Sequence, residues 1–214
     1  MYKKKPFFIV FEGVEGCGKS FQSKKLYNNL KRRKINAVLT REPGGTKSSE
    51  LIRNLILKDY FNKKDKEKFD KYTDTLLYLA ARNEHIINKI KPALLKKKVV
   101  ICDRFTDSTL AYQVYGKKIN FKFINNIHKV ILGNLKPNIT FVLKVSHKSS
   151  KKRLLKRKKR NRYDNFSQSF YKKAQNSFLK IAQRKKNYFI LESSKNDSFL
   201  EKRIFDITSK YLSK

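Results

Sequence analysis

An apolar run followed by a glycine-rich turn near the start of the chain limits what this chain can fold into. Residues 7–11 read Phe-Phe-Ile-Val-Phe, and the stretch from Gly13 to Ser20 follows the pattern G-x-x-x-x-G-K-S. In such a turn the glycines let successive backbone N–H groups converge on a polyphosphate, the lysine reaches the β and γ oxygens, and the hydroxyl meets Mg²⁺. Residues 21–30 have the pattern of a helix whose N-terminus would receive these phosphates. Strand, turn and helix in this order favour a P-loop over a plain glycine turn followed by a lysine.

The composition permits several kinds of partner. The 214 residues suit one domain with a sizeable core. A formal net charge of +36, from 53 Lys and Arg against 17 Asp and Glu, would on its own suggest nucleic-acid binding. The lysines are spread over nearly every segment, which is more typical of AT-rich codon usage than of a designed patch, and a positive field also suits an enzyme that handles phosphates. We therefore expect a single domain and no specific nucleic-acid partner.

The cysteines and the N-terminus bear on location. Cys17 and Cys102 have neither metal-ligand spacing nor the spacing of a disulfide framework, which fits a reduced cytosol. The basic residues 1–6 are followed by five apolar residues before Glu12, too few for a signal peptide or a membrane span. We expect a cytoplasmic protein without a membrane partner.

Strand and helix patterns alternate along the rest of the chain. After the first strand, strands are predicted at residues 35–40, 99–104, 139–145 and 188–191. Helices are predicted at 48–57, from Thr73 onward, around 107–115, at 120–132, at 164–182 and at the C-terminus, with a charged surface excursion at 60–72. Pro92 is expected to end or restart the helix that begins at Thr73. Strand, helix and strand within about thirty residues is typical of a parallel sheet covered by helices.

Several apolar residues define the stripes of these helices. They are Leu51, Ile52, Leu55 and Ile56 in 48–57, Leu76, Leu77, Ala80, Ala81 and Ile87 in the helix from Thr73, and Phe123, Ile124, Ile127, Val130 and Ile131 in 120–132.

Asp103 closes the apolar run that starts at Val99. In a P-loop fold, an acid at the carboxyl end of a neighbouring strand lies across from the lysine and can hold Mg²⁺ directly or through water. The alternative is an aspartate that only opens the following turn. This stretch by itself leaves both open.

Three further stretches accompany the P-loop. They are the residues 40–46, Thr-Arg-Glu-Pro-Gly-Gly-Thr, the residues 79–82, Leu-Ala-Ala-Arg, and the residues 103–113, Asp-Arg-Phe-Thr-Asp-Ser-Thr-Leu-Ala-Tyr-Gln. Together with residues 11–20 they resemble the thymidylate kinase family, whose members phosphorylate dTMP, in its bacterial form. A P-loop alone indicates only nucleotide binding, whereas the first and third of these stretches together are highly specific. The resemblance covers nearly the whole chain.

This resemblance implies a fold and a reaction. The fold is α/β: one three-layer P-loop NTPase-type domain over residues 1–214, with a five-stranded parallel sheet of order 2-3-1-4-5 and helices on both faces. The reaction is ATP-dependent phosphorylation of dTMP to dTDP for dTTP synthesis, by direct in-line transfer with Mg²⁺. The family also implies a homodimer.

The resemblance further implies residue roles on the ATP side. The ATP-binding loop would be Gly13, Val14, Glu15, Gly16, Cys17, Gly18, Lys19 and Ser20. Ser20 and, through water, Asp103 would hold Mg²⁺. Lys19, Asp103 and Arg104 would act in catalysis.

On the dTMP side, Arg53 and Arg104 would grip the 5′-phosphate, Tyr78 would stack on thymine, and Arg82, Thr109 and Gln113 would meet the edge of the base. Glu15 would hydrogen-bond the deoxyribose 3′-hydroxyl. Guanidinium groups suit phosphate and carbonyl oxygens, and an aromatic face suits a flat pyrimidine. Tyr78 stands where the family usually has Phe, and Thr109 where it more often has Ser.

A basic segment at about 149–163 is where the resemblance puts a mobile lid. Gly16 fits the subtype that lacks an arginine in the P-loop and uses lid arginines instead. Arg157 and Arg162 are the favoured catalytic arginines, with Arg153 behind them. The alternative is a solvated basic helix.

Two other functions stay open from the sequence. A kinase for a different nucleoside monophosphate would share the P-loop and lid but would not need Tyr78, Arg82, Thr109 and Gln113. A nucleic-acid-binding ATPase would account for the charge of +36 directly.

Overall fold

The computed structural model describes residues 5–58, 68–156, 167–183, 185–195 and 197–213. Arg157, Arg162 and most of the predicted surface excursion lie outside these residues. No helix within the described ranges is long and apolar enough to cross a membrane.

A parallel sheet forms the middle layer. Its strands are β1 (Phe7–Glu12), β2 (Ala37–Arg41), β3 (Val99–Asp103), β4 (Ile139–Lys144) and β5 (Tyr188–Glu192). They lie in the order β2-β3-β1-β4-β5 and every pair is parallel, which confirms the predicted sheet. All six residues of β1 are buried, because a central parallel strand is covered on both faces.

Helices cover both faces of this sheet. They are α1 (Lys19–Arg32), α2 (Lys47–Leu57), α3 (Lys71–His85), α4 (Lys91–Leu95), α5 (Thr106–Thr109), α6 (Phe121–Leu132), α7 (His147–Leu155), α8 (Gln168–Gln183) and α9 (Ser198–Leu212). Side chains alternate along β1, so that Ile9 packs in a core with Leu26 of α1, while Val10 packs on the other face with Ile86 and Phe105. The three-layer prediction is confirmed by these two cores.

Two helical segments widen into π-helix. Residues Ile86–Ile90 join α3 to α4, and residues Leu110–Gly116 continue α5. The first lies directly before the turn that contains Pro92, which has no N–H to donate to a carbonyl in the preceding turn. The helix predicted from Thr73 is therefore restarted at Pro92 and not ended there.

The apolar stripes of α2, α3 and α6 are only partly buried. Ile56 of α2 is fully buried, but Leu51, Leu55, Leu76, Ile87 and Val130 are between 42% and 83% exposed. α2 packs against α3, and α3 against α6, where the rings of Tyr72 and Phe123 lie 5.5 Å apart. Helical spacing predicts an apolar face but does not tell what covers it. Here the described part of the chain leaves much of that face uncovered.

Candidate active site

The loop between β1 and α1 adopts backbone conformations that its glycines allow. Gly13, Gly16 and Gly18 have φ of 135°, 71° and 98°. A Cβ at Gly13 would lie 2.6 Å from the carbonyl oxygen of Leu143, and a Cβ at Gly16 would lie 2.8 Å from that of Ser150. Neither position has room for a side chain. The loop is thus held closely between β4 and α7.

Lys19 opens α1 and folds over this loop. Its ammonium donates to the carbonyl oxygens of Gly13 at 3.0 Å and Val14 at 2.8 Å, and it lies 3.5 Å from Sγ of Cys17. The residue is only 6% exposed. The charge therefore sits inside the concave side of the loop, where an incoming phosphate oxygen would exchange with these carbonyls.

Ser20 and Asp103 meet beside this lysine. The Ser20 hydroxyl donates to a carboxylate oxygen of Asp103. Because β3 is the sheet neighbour of β1, its carboxyl end brings Asp103 to the loop. Hydroxyl and carboxylate oxygens are ligands that suit Mg²⁺. Among the described residues, no cluster of three or more His, Cys, Asp or Glu side chains could hold a metal.

Glu12 anchors the turn that follows β3. It is fully buried and accepts hydrogen bonds from the Phe105 N–H at 2.8 Å and the Ser108 hydroxyl at 2.6 Å. Burial, followed by the nearby charge of Asp107, raises the pKa of Glu12 to about 8. This carboxyl group fixes the turn beside the P-loop. No role was predicted for Glu12 from the sequence.

Arg104 projects from that turn onto the P-loop. Its guanidinium donates to the Gly13 carbonyl at 2.9 Å and to a Glu15 carboxylate oxygen at 2.8 Å. The other Glu15 oxygen accepts from the Tyr112 hydroxyl at 2.7 Å. Burial works against the charge of Arg104, but Tyr112 and Glu15 raise its pKa well above the usual value. Arg104 is thus a fixed cation at the loop.

Arg53 lies on α2 and lines the same cavity as Arg104. It donates to the Pro43 carbonyl at 2.6 Å, and its Nε lies 3.9 Å from the Glu50 carboxylate, which also pairs with Arg41. Burial, with the charge of Arg41 as a second cause, lowers the pKa of Arg53. Two guanidinium groups thus lie near one another in the wall of this cavity.

Arg82 lies in a buried polar cluster. Its Nε donates to Glu42 at 2.7 Å, and its terminal nitrogens donate to the Thr109 hydroxyl at 2.8 Å and the Phe105 carbonyl at 2.9 Å. Nε2 of His128 lies 2.7 Å from Nη1 of Arg82. Burial by itself raises the pKa of Glu42, but Arg82 and His85 outweigh it and the pKa is lowered. The guanidinium is therefore held from several sides.

One cavity of about 660 Å³ joins these groups. Of the predicted site residues, its wall contains Glu15, Gly16, Gly18, Lys19, Ser20, Arg53, Tyr78, Arg82, Asp103, Arg104, Thr109 and Gln113. Gly13, Val14 and Cys17 belong to the loop but not to the wall, and Val14 and Cys17 are buried behind it. The predicted ATP-side and dTMP-side residues thus share one cavity.

Arg153, which the resemblance names behind Arg157 and Arg162 as a lid arginine, contacts backbone carbonyls in the structure. It lies on α7 and donates to the backbone carbonyls of Gly16 at 3.0 Å, Ser193 at 2.7 Å and Ser194 at 2.6 Å. The Ser150 hydroxyl of the same helix donates to the Glu15 carbonyl at 2.8 Å. These contacts connect the P-loop to α7, and Arg153 also lines the cavity.

Several residues that shape this site were not predicted from the sequence. Tyr112 and Glu42 stand within quoted motif stretches, so the motifs were a signal for them. His128 lies on α6, 46 residues from Arg82, in a stretch without a motif. No local pattern could have indicated that contact.

Comparison with known proteins finds one family. The family model described as thymidylate kinase matches residues 11–204. A thymidylate kinase from Aster yellows witches'-broom phytoplasma (strain AYWB) is 40% identical over 193 residues, covering 88% of this chain and 90% of the relative. One from Wolbachia pipientis wMel is 38% identical over 205 residues, covering 93% and 98%.

A solved structure is also similar. The crystal structure of thymidylate kinase from Ehrlichia chaffeensis superimposes with a TM-score of 0.74 at 30% identity, covering 95% of this chain and 99% of that one. With a family match over most of the chain, this fold and this cavity, the chain belongs to the thymidylate kinase family.

Proposed function

We infer that the protein transfers the γ-phosphoryl group of ATP directly to dTMP, giving ADP and dTDP for dTTP synthesis. The observation that carries this inference is the single cavity in which the P-loop lysine, Arg104 and the cluster around Arg82 all form the wall. Family membership agrees with it. Both substrates then fit one site, with their phosphates at the P-loop end.

On the ATP side, the protein positions anions and neutralises charge. Direct in-line transfer needs no enzyme nucleophile. Residues 13–20 cradle the phosphates with backbone N–H groups, and Lys19 supplies a cation that is already inside the loop. When bound, Mg²⁺ would offset charge on the phosphate oxygens, and Ser20 and, through water, Asp103 would hold it.

On the dTMP side, Arg104 and Arg53 bind the 5′-phosphate. Arg104 is supported by its hydrogen bonds to Gly13 and Glu15, which aim its guanidinium at the P-loop. Glu15 accepts from the Tyr112 hydroxyl and would accept from the deoxyribose 3′-hydroxyl as well. Guanidinium groups fit phosphate oxygens in a bidentate manner, so the acceptor oxygen would be oriented and its charge reduced.

The base lies at the other end of the cavity. Tyr78 is half-buried in the wall and offers a flat face, while Thr109 and Gln113 are each 2% exposed. Arg82 donates to a thymine carbonyl, and Gln113 meets the rest of the base edge. Cytosine carries an amino donor in place of the thymine O4 acceptor, so it would face a donor with a donor.

A panel of monophosphates tests the proposed function. In a coupled ADP-release assay, kcat/KM should be clearly higher with dTMP than with dCMP, because an unpaired buried donor costs about 1–3 kcal/mol. Arg82→Ala should lose dTMP turnover and with it most of this preference, while the KM for ATP changes little.

Equal use of dCMP or UMP would replace dTMP kinase with a broader nucleoside monophosphate kinase. ATP hydrolysis that DNA or RNA stimulates, with no monophosphate acceptor, would instead support a nucleic-acid-binding ATPase.

We further propose that the protein is a homodimer joined through α2, α3 and α6. The exposed apolar residues of these neighbouring helices support this, since a dimer would remove them from water.

Leu51→Glu should convert the dimer to monomer, as measured by analytical ultracentrifugation. Leu51 is 69% exposed, and Phe199→Glu, at a 71% exposed position on α9, is the matched control that should stay dimeric. A wild-type monomer, or an unchanged dimer in Leu51→Glu, would contradict this interface.

We also propose one domain of 214 residues with a lid at about 149–163, in which Arg157 and Arg162 reach the γ-phosphate. Ser150 and Arg153 of α7 donate to P-loop carbonyls, and Arg153 and Leu154 line the cavity, which supports a lid that includes this helix. We propose a cytoplasmic location for this enzyme. The free, buried Cys17 and Cys102 are compatible with that compartment.

A further inference from the structure

We propose that His128 is a positioning residue for base recognition: it fixes Arg82 so that Arg82 and Thr109 present only hydrogen-bond donors to the cavity. This inference rests on the proposed dTMP site. His128 is 8% exposed and comes from α6, whereas Arg82 comes from α3. Neither the motif stretches nor the role implied for Arg82 includes this histidine.

The hydrogen bonds of Arg82 can be counted. A guanidinium has five N–H groups and no acceptor. The Nε–H goes to Glu42, the two N–H groups of Nη1 go to Thr109 and His128, and one N–H of Nη2 goes to the Phe105 carbonyl. One N–H of Nη2 is left without a partner in the described ranges, and Arg82 is part of the cavity wall. That N–H is the donor available to a ligand.

His128 must be the acceptor in its contact with Arg82. Arginine can only donate, so Nε2 of His128 carries no proton and the imidazole is the neutral tautomer with its hydrogen on Nδ1. Burial and the adjacent Arg82 charge act in the same direction, because they lower the pKa of His128 to about 3. His128 therefore accepts from Nη1 while Glu42 accepts from Nε, and these two acceptors together fix the orientation of the guanidinium plane.

The fixed guanidinium also sets the direction of the Thr109 hydroxyl. The oxygen of Thr109 accepts from Nη1 at 2.8 Å, so its own hydrogen must point elsewhere. In the described part of the chain this hydroxyl donates to no other group, and Thr109 is in the cavity wall beside Arg82. A ligand therefore meets a donor at Thr109 as well.

Two donors side by side require acceptors on the ligand. A pyrimidine with a keto oxygen at position 4 supplies an acceptor at that position, whereas a 4-amino pyrimidine supplies a donor there. Without His128, one N–H of Nη1 would be buried and unpaired, and the guanidinium would turn to find another partner. Both donors would then be misdirected, although no atom of His128 needs to touch the base.

Three variants test this inference. His128→Leu keeps an apolar body but removes the acceptor, and His128→Gln restores an acceptor close to the position of Nε2. Lys129→Leu, at the next and exposed position of α6, is the matched control. Each protein is measured for kcat and KM with dTMP and dCMP, for KM with ATP, and for binding of dTMP by calorimetry.

His128→Leu should raise the KM and the Kd for dTMP about tenfold, lower the dTMP over dCMP ratio by a similar factor, and leave the KM for ATP unchanged. His128→Gln should return these values to within about threefold of wild type, and Lys129→Leu should not differ from it. An unchanged Kd for dTMP in His128→Leu overturns the inference while leaving the dTMP kinase function in place. So does a loss of kcat with both nucleotides that His128→Gln does not rescue. A wild-type protein that neither binds nor phosphorylates dTMP overturns both.

Discussion

Replacing Lys19 with alanine is expected to lower kcat for dTMP phosphorylation by about 100-fold or more. Removing a single preorganised donor to developing charge costs on the order of 3–4 kcal/mol, and each 1.4 kcal/mol is about tenfold in rate. Lys19 is the cation inside the P-loop, hydrogen-bonded to the Gly13 and Val14 carbonyls. No other lysine is in the described wall of the cavity to take over this role.

The measurement is kcat at saturating ATP and dTMP, with thermal unfolding followed in parallel. Thermal unfolding is needed because Lys19 also donates to the Gly13 and Val14 carbonyls of the loop, so its loss lowers stability as well as rate. Lys24→Ala, at an exposed position of the same helix, is the matched control and should keep wild-type kcat. A folded Lys19→Ala protein with near-normal turnover would refute the P-loop assignment.

The parts of this site that were predictable are those encoded locally. The apolar run 7–11, the glycine loop and the helix from Lys19 are adjacent in sequence, so their order alone specifies a strand, a phosphate loop and a helix N-terminus. Asp103 could be related to them because a parallel sheet gathers the carboxyl ends of its strands at one edge.

Contacts that depend on the packing of distant helices were not predictable. The His128 contact to Arg82 joins two helices in the tertiary structure, and only the packing of α6 on α3 brings them together. The exposed stripe of α2, α3 and α6 is a second case, since helical periodicity identifies an apolar face but not its partner. The hydrogen bonds of Arg153 to the carbonyls of Gly16, Ser193 and Ser194 are a third case, since no local pattern in the sequence indicates them.

Arg104→Ala should lower kcat/KM for dTMP by about 100-fold or more while the KM for ATP changes much less. The loss is expected because the Arg104 guanidinium is proposed to hold the acceptor phosphate, and charge-assisted hydrogen bonds to phosphate are strong.

The backbone of Arg104 has φ of 75°, a conformation that is uncommon for a residue with a long side chain. The strained backbone is maintained by the Glu12 anchor and aims the guanidinium at Gly13 and Glu15.

Two further variants separate chemistry from these structural effects. Arg104→Gly relieves the left-handed backbone but supplies no guanidinium, so it should be at least as stable as Arg104→Ala and just as inactive. Removing Arg104 also leaves Glu15 with its hydrogen bond from Tyr112 but without its cation. The double variant Arg104→Ala with Glu15→Gln therefore tests whether the unpaired Glu15 carboxylate causes the loss of activity. The double variant should stay inactive, and Arg203→Ala, an exposed arginine of α9, should behave as wild type. Recovery of dTMP turnover in the double variant would show that Arg104 serves only to neutralise Glu15, and the phosphate-binding role would then have to be assigned to Arg53.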